Sequence, residues 1–117
     1  MAKIELTINQ EMLPEKGVFV LHLTGLLNAE TFSELEDAFA AAFDKGANKG
    51  IVDLSQVYYM SSAGAGTLIG ALAEAQRRGG NLVLMKLNPN VQVVFDLMGI
   101  GETIRIFDDL PAALATF

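Results

Sequence analysis

Apolar and polar residues alternate at the start of the chain, with Ile4, Leu6 and Ile8 on one side and Lys3, Glu5, Thr7 and Asn9 on the other. Successive side chains of an extended chain point to opposite faces, so a period of two predicts a half-buried strand. Pro14, Glu15, Lys16 and Gly17 supply turn chemistry, and residues 18–24 are nearly continuously apolar with β-branched and aromatic members. That run predicts a second, more deeply buried strand, paired with the first as a hairpin.

Beyond Asn28 the period changes. Phe32, Leu35, Phe39, Ala42 and Phe43 recur at spacings of three and four, which predicts an amphipathic helix with Asn28 as its N-cap and Gly46 as its stop. Residues 50–54 read as a short apolar strand and residues 56–61 as a connector. A second helix is predicted from Ser62 or Ala63 to Arg78, closed by Gly79 and Gly80. Residues 82–85 are apolar throughout, the pattern of a strand covered on both faces. Asn88 and Pro89 look like the N-cap and first-turn proline of a third helix, with Val91, Val94, Phe95 and Met98 facing inward and Gly99 ending it. Residues 104–107 form a last strand, and Asp108 caps a short final helix carrying Leu110, Leu114 and Phe117. The order β, β, α, β, α, β, α, β, α implies one α/β domain over residues 1–117. Its sheet is largely parallel, of about five strands, with an N-terminal antiparallel hairpin and four helices.

Composition narrows the function classes. The chain has 117 residues, 51% of them hydrophobic, with 8 basic and 14 acidic side chains and a formal net charge of −6. One core and a radius of gyration of about 13 Å are expected for that length. A mean hydropathy of +0.36 and only 3 prolines argue against disorder. An isoelectric point near 4.6 offers no basic face for phosphates, so nucleic acid is not an expected partner. There is no cysteine and one histidine, His22, which removes disulfides, thiol chemistry and zinc sites. The N-terminus is amphipathic at once and lacks the apolar run of a signal peptide, so a cytoplasmic location is expected. Residues 54–73 are uncharged over a bilayer-spanning length, but Ser55, Gln56, Ser61, Ser62, Thr67 and three glycines argue against membrane insertion.

The chemistry concentrates in residues 51–66, where an apolar strand delivers small residues to a helix N-terminus. Helix starts collect unpaired N–H donors and positive dipole, so a phosphate on Ser62 would be received by main-chain donors. Serine is also a preferred cap, and from spacing alone Ser62 reads first as the N-cap itself. Gly64, Gly66 and Gly70 imitate a dinucleotide fingerprint, but Leu84, Met85 and Lys86 stand where its acidic residue belongs. His22 would be the only base of a hydrolase, within a strand and without a nucleophile elbow. Asp53, Asp96, Asp108 and Asp109 show no metal-ligand pattern. No catalytic residue, metal or cofactor is expected. Met60 and Met98 are the methionines expected to touch a partner.

Val52-Asp53-Leu54-Ser55 and Tyr59-Met60-Ser61-Ser62-Ala63-Gly64-Ala65-Gly66 resemble the signature of STAS domains, specifically bacterial anti-sigma factor antagonists. The segments ending at Asn28, from Gly79 to Leu84 and from Val93 to Gly99 extend the resemblance over nearly the whole chain. It implies a partner-binding face of Asn28, Tyr59, Met60, Ser61, Ser62, Ala63, Gly64, Ala65 and Gly66. It also implies Ser62 as the phosphoacceptor of an anti-sigma factor that is a serine kinase, and a phosphatase as a further partner. The implied module is non-enzymatic, a monomer or weak dimer that frees a sigma factor until phosphorylation breaks the complex. Ser61 and Asn28 stand where the family has aspartates, and Ala65 replaces a larger apolar residue. Ser61 is thereby a rival phosphoacceptor. The same substitutions motivate an alternative, a STAS-like adaptor subunit of a membrane transporter without phosphoregulation.

Overall fold

A computed structural model describes residues 5–117. The chain forms β1 (Thr7–Leu13), β2 (Val18–Leu27), α1 (Phe32–Asp44), β3 (Lys49–Met60), α2 (Ser62–Arg77), β4 (Asn81–Met85), α3 (Pro89–Met98), a 3-10 turn (Ile100–Glu102), β5 (Ile106–Phe107) and α4 (Leu110–Leu114). The sheet order is β1-β2-β3-β4-β5, with β1 antiparallel to β2 and the other neighbours parallel. The Cα radius of gyration is 13.2 Å, as expected from the length.

Alternation along the central strands sorts two cores. Phe19, Leu21 and Leu23 of β2 pack with Leu35, Phe39 and Phe43 of α1, Leu68 and Leu72 of α2, and Val91 and Phe95 of α3. Val18 and Val20 point the other way and meet Ile51, Val83, Met85 and Ala113 beneath α4. Burial of β4 on both faces follows, as its unbroken apolar run predicts. Phe19, Phe39 and Phe43 form an aromatic cluster with ring centroids 5.8–6.3 Å apart. Gly50 makes room for it, since a Cβ there would fall 2.4 Å from the Phe19 ring.

Several boundaries differ from the pattern reading. The first strand lies later, at Thr7–Leu13, and Lys3 and Ile4 lie outside the described residues. The predicted connector 56–61 is mostly strand, because β3 continues to Met60. Two register shifts against β2 account for the difference: between Asp53 and Gln56, and between Val57 and Tyr59, β3 carries one extra residue. Such bulges break the alternation from which a strand is recognised. The last strand is shorter than 104–107 because the turn begun by the 3-10 helix runs on to Ile104, whose N–H donates back to the Ile100 carbonyl at 3.0 Å. Asp109, not Asp108, caps α4, its carboxylate accepting from the Ala112 N–H at 2.9 Å. Met98 leaves the predicted inward stripe of α3, being 46% exposed at the end of the helix.

Candidate functional site

The site is built where β2 and β3 end together. The parallel register pairs Leu26 with Tyr59 and Leu27 with Met60, and the Ser61 N–H extends it to the Leu27 carbonyl at 2.9 Å. The chain after β2 and the start of α2 are thereby held side by side. Gly64 packs directly on Leu27, and a Cβ at Gly64 would sit 2.7 Å from the Leu27 carbonyl oxygen. A glycine suits that contact because any Cβ would force the Leu27 backbone or the start of α2 to shift.

Ser61, rather than Ser62, is the N-cap of α2. Its backbone is extended, its Oγ accepts from the Gly64 N–H at 3.4 Å, and its carbonyl accepts the first helical bond from Ala65 at 3.0 Å. Ser62 is the first helical residue and is exposed, and its hydroxyl makes no hydrogen bond among the described residues. No acidic residue stands in the first turn of α2, so its own side chains leave the positive end of the helix dipole uncompensated.

Asn28 lies in the adjoining turn but does not cap α1 as expected. Its Oδ1 accepts from the Glu30 and Thr31 N–H groups at 2.9 and 3.1 Å, closing a turn that precedes the helix. Thr31 occupies the N-cap position without capping through its side chain. Its hydroxyl instead donates to the Leu26 carbonyl at 2.7 Å and accepts from the Asn28 N–H at 3.0 Å. The turn is thus tied to β2, and the N-cap of α1 lies three residues beyond Asn28, at Thr31.

Of the nine expected partner contacts, the structure gathers all at this end of the sheet but divides them by access. Tyr59, Ser62 and Gly66 are exposed, Asn28, Ser61 and Ala63 are partly exposed, and Met60, Gly64 and Ala65 are buried. Met60, 1% exposed, is a core residue and not the surface contact expected of it. The second bulge turns Tyr58 outward next to Tyr59, leaving both about half exposed. Val93, Leu97 and Met98 of α3 are exposed as well. Val93 and Leu97 are separable in the sequence from Val91 and Phe95, since they lie four residues apart on the opposite face of the helix.

A polar cluster that the sequence left scattered lies on the sheet. His22 of β2 faces Asp53 of β3, with Nδ1 2.8 Å from Asp53 Oδ2 and Nε2 3.1 Å from Glu11 Oε1 on β1. Burial lowers the imidazole's affinity for a proton, but the hydrogen bonds to Asp53 and Glu11 outweigh it and raise the His22 pKa. Burial likewise opposes ionisation of Asp53, yet the Ser55 N–H at 3.0 Å and the His22 ring hold its pKa below the usual value. Both ring nitrogens are occupied by carboxylates, so neither is free to activate a nucleophile. Asp53, Asp96, Asp108 and Asp109 do not gather into a metal-binding group among the described residues. No helix among them is long and apolar enough to cross a membrane, because residues 54–73 divide between β3 and α2.

The profile of the STAS domain family matches residues 9–113, and the chain belongs to that family. BtrV of Bordetella bronchiseptica, a proposed anti-sigma factor antagonist, is 32% identical over 101 residues, covering 86% of this chain and 87% of the relative. The crystal structure of an anti-sigma factor antagonist from Mycobacterium paratuberculosis superposes with a TM-score of 0.84 at 23% identity, covering 96% of this chain and 93% of that one. SpoIIAA, the Bacillus cell fate determinant, solved in its phosphorylated form, gives a TM-score of 0.71 at 22% identity over 94% and 98% of the two chains. The mixed five-stranded sheet with four helices is the STAS fold.

Proposed function

We propose that the chain is an anti-sigma factor antagonist, a regulatory module that docks on a serine-kinase anti-sigma factor and is switched off by phosphorylation of Ser62. One observation carries the reading: capping of α2 falls to Ser61, which leaves Ser62 exposed at the helix N-terminus with an unengaged hydroxyl. The same division of labour favours Ser62 over Ser61 as acceptor, because modifying Ser61 would remove a cap. The kinds of protein named among the relatives and structural neighbours support the class, and SpoIIAA supports phosphorylation as its control.

A phosphoryl group adds about 1.5 to 2 negative charges. At the start of α2 the main-chain N–H groups and the dipole would stabilise it, so the modified protein tolerates the charge in isolation. In a complex the same charge must be desolvated against the partner and adds to a net charge of −6. Phosphorylation therefore weakens docking without unfolding the module. The reading places the chain in the cytoplasm, beside the kinase and a resetting phosphatase.

The test is affinity capture from native cytoplasm with wild type, Ser62→Ala and Ser62→Asp as baits. A serine-kinase anti-sigma factor is expected on the first two and at least tenfold less on Ser62→Asp. Incubation with the captured kinase and labelled ATP should label wild type and Ser61→Ala but not Ser62→Ala. Equal recovery of transporter subunits on all three baits would overturn the reading in favour of an adaptor.

A further inference from the structure

Between α1 and α2 runs a groove of about 570 Å³. Phe32, Phe39 and Phe43 line it from α1, and Ala63, Gly66 and Gly70 from α2. Apart from chain neighbours and the helix's own backbone, nothing lies within 4 Å of a Cβ built at Gly66 or Gly70, so the two glycines leave open space along the wall. The α2 lining extends from Ala63 to Arg78, about 22 Å at 1.5 Å per residue, or four helical turns. The Thr67 hydroxyl, also in the groove, donates back to the Ala63 carbonyl at 3.1 Å and is spent within its own helix.

The walls differ in charge. On the α2 side Glu74 is engaged by both Arg77 and Arg78, which push its pKa down to about 2, and the Arg78 guanidinium lies 5.2 Å from the Phe43 ring centroid. On the α1 side Glu36 and Asp44 have no cationic partner among the described residues. Phe32–Asp44 contains four acidic residues and no basic one. Asp44 stands in the last turn of α1, where Lys45 is the C-cap and the Arg78 guanidinium donates to the Phe43 carbonyl at 3.2 Å, yet neither cation pairs with its carboxylate. The unpaired carboxylates of Glu36 and Asp44 on the α1 wall are complementary to a basic occupant.

From this juxtaposition we infer that the groove docks an amphipathic helix of a protein partner, with leucine-sized side chains over Gly66 and Gly70 and lysine or arginine along the α1 flank. Helices recognised in grooves present anchors at positions i, i+3 or i+4, and i+7, and four turns of groove accept two such repeats. Basic side chains reaching Glu36 and Asp44 would fix the orientation of the helix. The groove shares Ala63 and Gly66 with the expected partner-binding face, but the inference goes beyond the Ser62 switch and does not use its phosphorylation.

The probe is a 15-residue leucine–lysine peptide with one apolar stripe. Its controls are the same residues shuffled to erase the stripe and a leucine–glutamate counterpart. Titration into the 15N-labelled full chain should shift the amides of Phe39, Phe43, Gly66 and Gly70 with the striped lysine peptide alone. Gly70→Leu, which fills open space and replaces a helical glycine, should raise its Kd at least tenfold while leaving the fold intact. Glu36→Lys with Asp44→Lys should exchange the preference, binding the glutamate peptide at least tenfold more tightly than the lysine peptide. Equal binding of the shuffled peptide, or insensitivity to Gly70→Leu, would overturn the proposal. Shifts of the same amides caused only by decanoate would assign the groove to an acyl chain, and shifts on dilution of the protein alone would assign it to a second copy. No kinase enters this assay, so its failure is distinct from failure of the phosphorylation reading.

Discussion

His22 illustrates how one side chain acquires a property its own sequence neighbourhood does not contain. It is the chain's single histidine, and the carboxylates that raise its pKa come from strands on either side, Glu11 of β1 and Asp53 of β3. A folded-state pKa above the unfolded value means that the protonated form is favoured by folding. The stabilisation is complete below the unfolded pKa of about 6.5 and is lost as pH rises through the raised folded value. Because 36% of the His22 side chain is exposed, screening holds the effect to about 1 kcal/mol or less. Asp53 contributes with the opposite sign: its stabilisation is present above its ordinary pKa and is lost as pH falls through the depressed one. Urea unfolding of wild type and His22→Gln from pH 5 to 9 checks the histidine. The stability advantage of wild type should shrink as pH rises, and a constant difference would refute the linkage.

The second helix shows how a single element serves both packing and access. Gly64 and Gly66 are two positions apart in its first turns, yet their demands are opposite. An added methyl at Gly64 would press on Leu27, with Cγ at 2.6 Å and the carbonyl oxygen at 2.7 Å, whereas at Gly66 it would meet nothing. Gly64→Ala is therefore expected to destabilise the protein by about 1–3 kcal/mol through overpacking. Gly66→Ala should be neutral or stabilising by up to about 1 kcal/mol through helix propensity. Equal effects of the two substitutions in denaturant titrations would contradict the packing of α2 on β2. Legibility also varied among elements. Asn88, Pro89 and Gly99 mark the ends of α3 as expected, the asparagine accepting from two backbone N–H groups and Gly99 adopting φ +65°. Those signals act within a few residues. The C-terminal half of β3 was missed because its bulges arise from pairing with β2, a partner about 30 residues away in sequence.

Two cores on opposite faces of one sheet couple the molecule together. Ile51 is fully buried under α4, while its neighbours Gly50 and Val52 face the helices of the larger core. A change on the α4 side therefore reaches the other layer through shared strands. Ile51→Ala should cost about 2–5 kcal/mol by loss of buried methyl groups and the cavity left behind. With both cores resting on the same ladders, the loss should appear as one cooperative transition. Far-ultraviolet circular dichroism and fluorescence of Tyr58 and Tyr59, the only tyrosines in a chain without tryptophan, should report the same midpoint. Separate midpoints would contradict a single cooperative transition.

Periodicity and punctuation in the sequence determined the element order, the opening hairpin, the double-sided burial of β4 and the position of the small-residue segment at the start of α2. These are properties of short windows, where the side-chain repeat and the capping residues are themselves the physical cause. The pairing of Glu11, His22 and Asp53, the choice of Ser61 over Ser62 as cap, the burial of Met60 and the groove between α1 and α2 followed only from assembly of the fold. Each depends on distant segments brought into register, and a hydrogen-bond partner or a neighbouring helix cannot be read from residues that do not touch it until the sheet has formed.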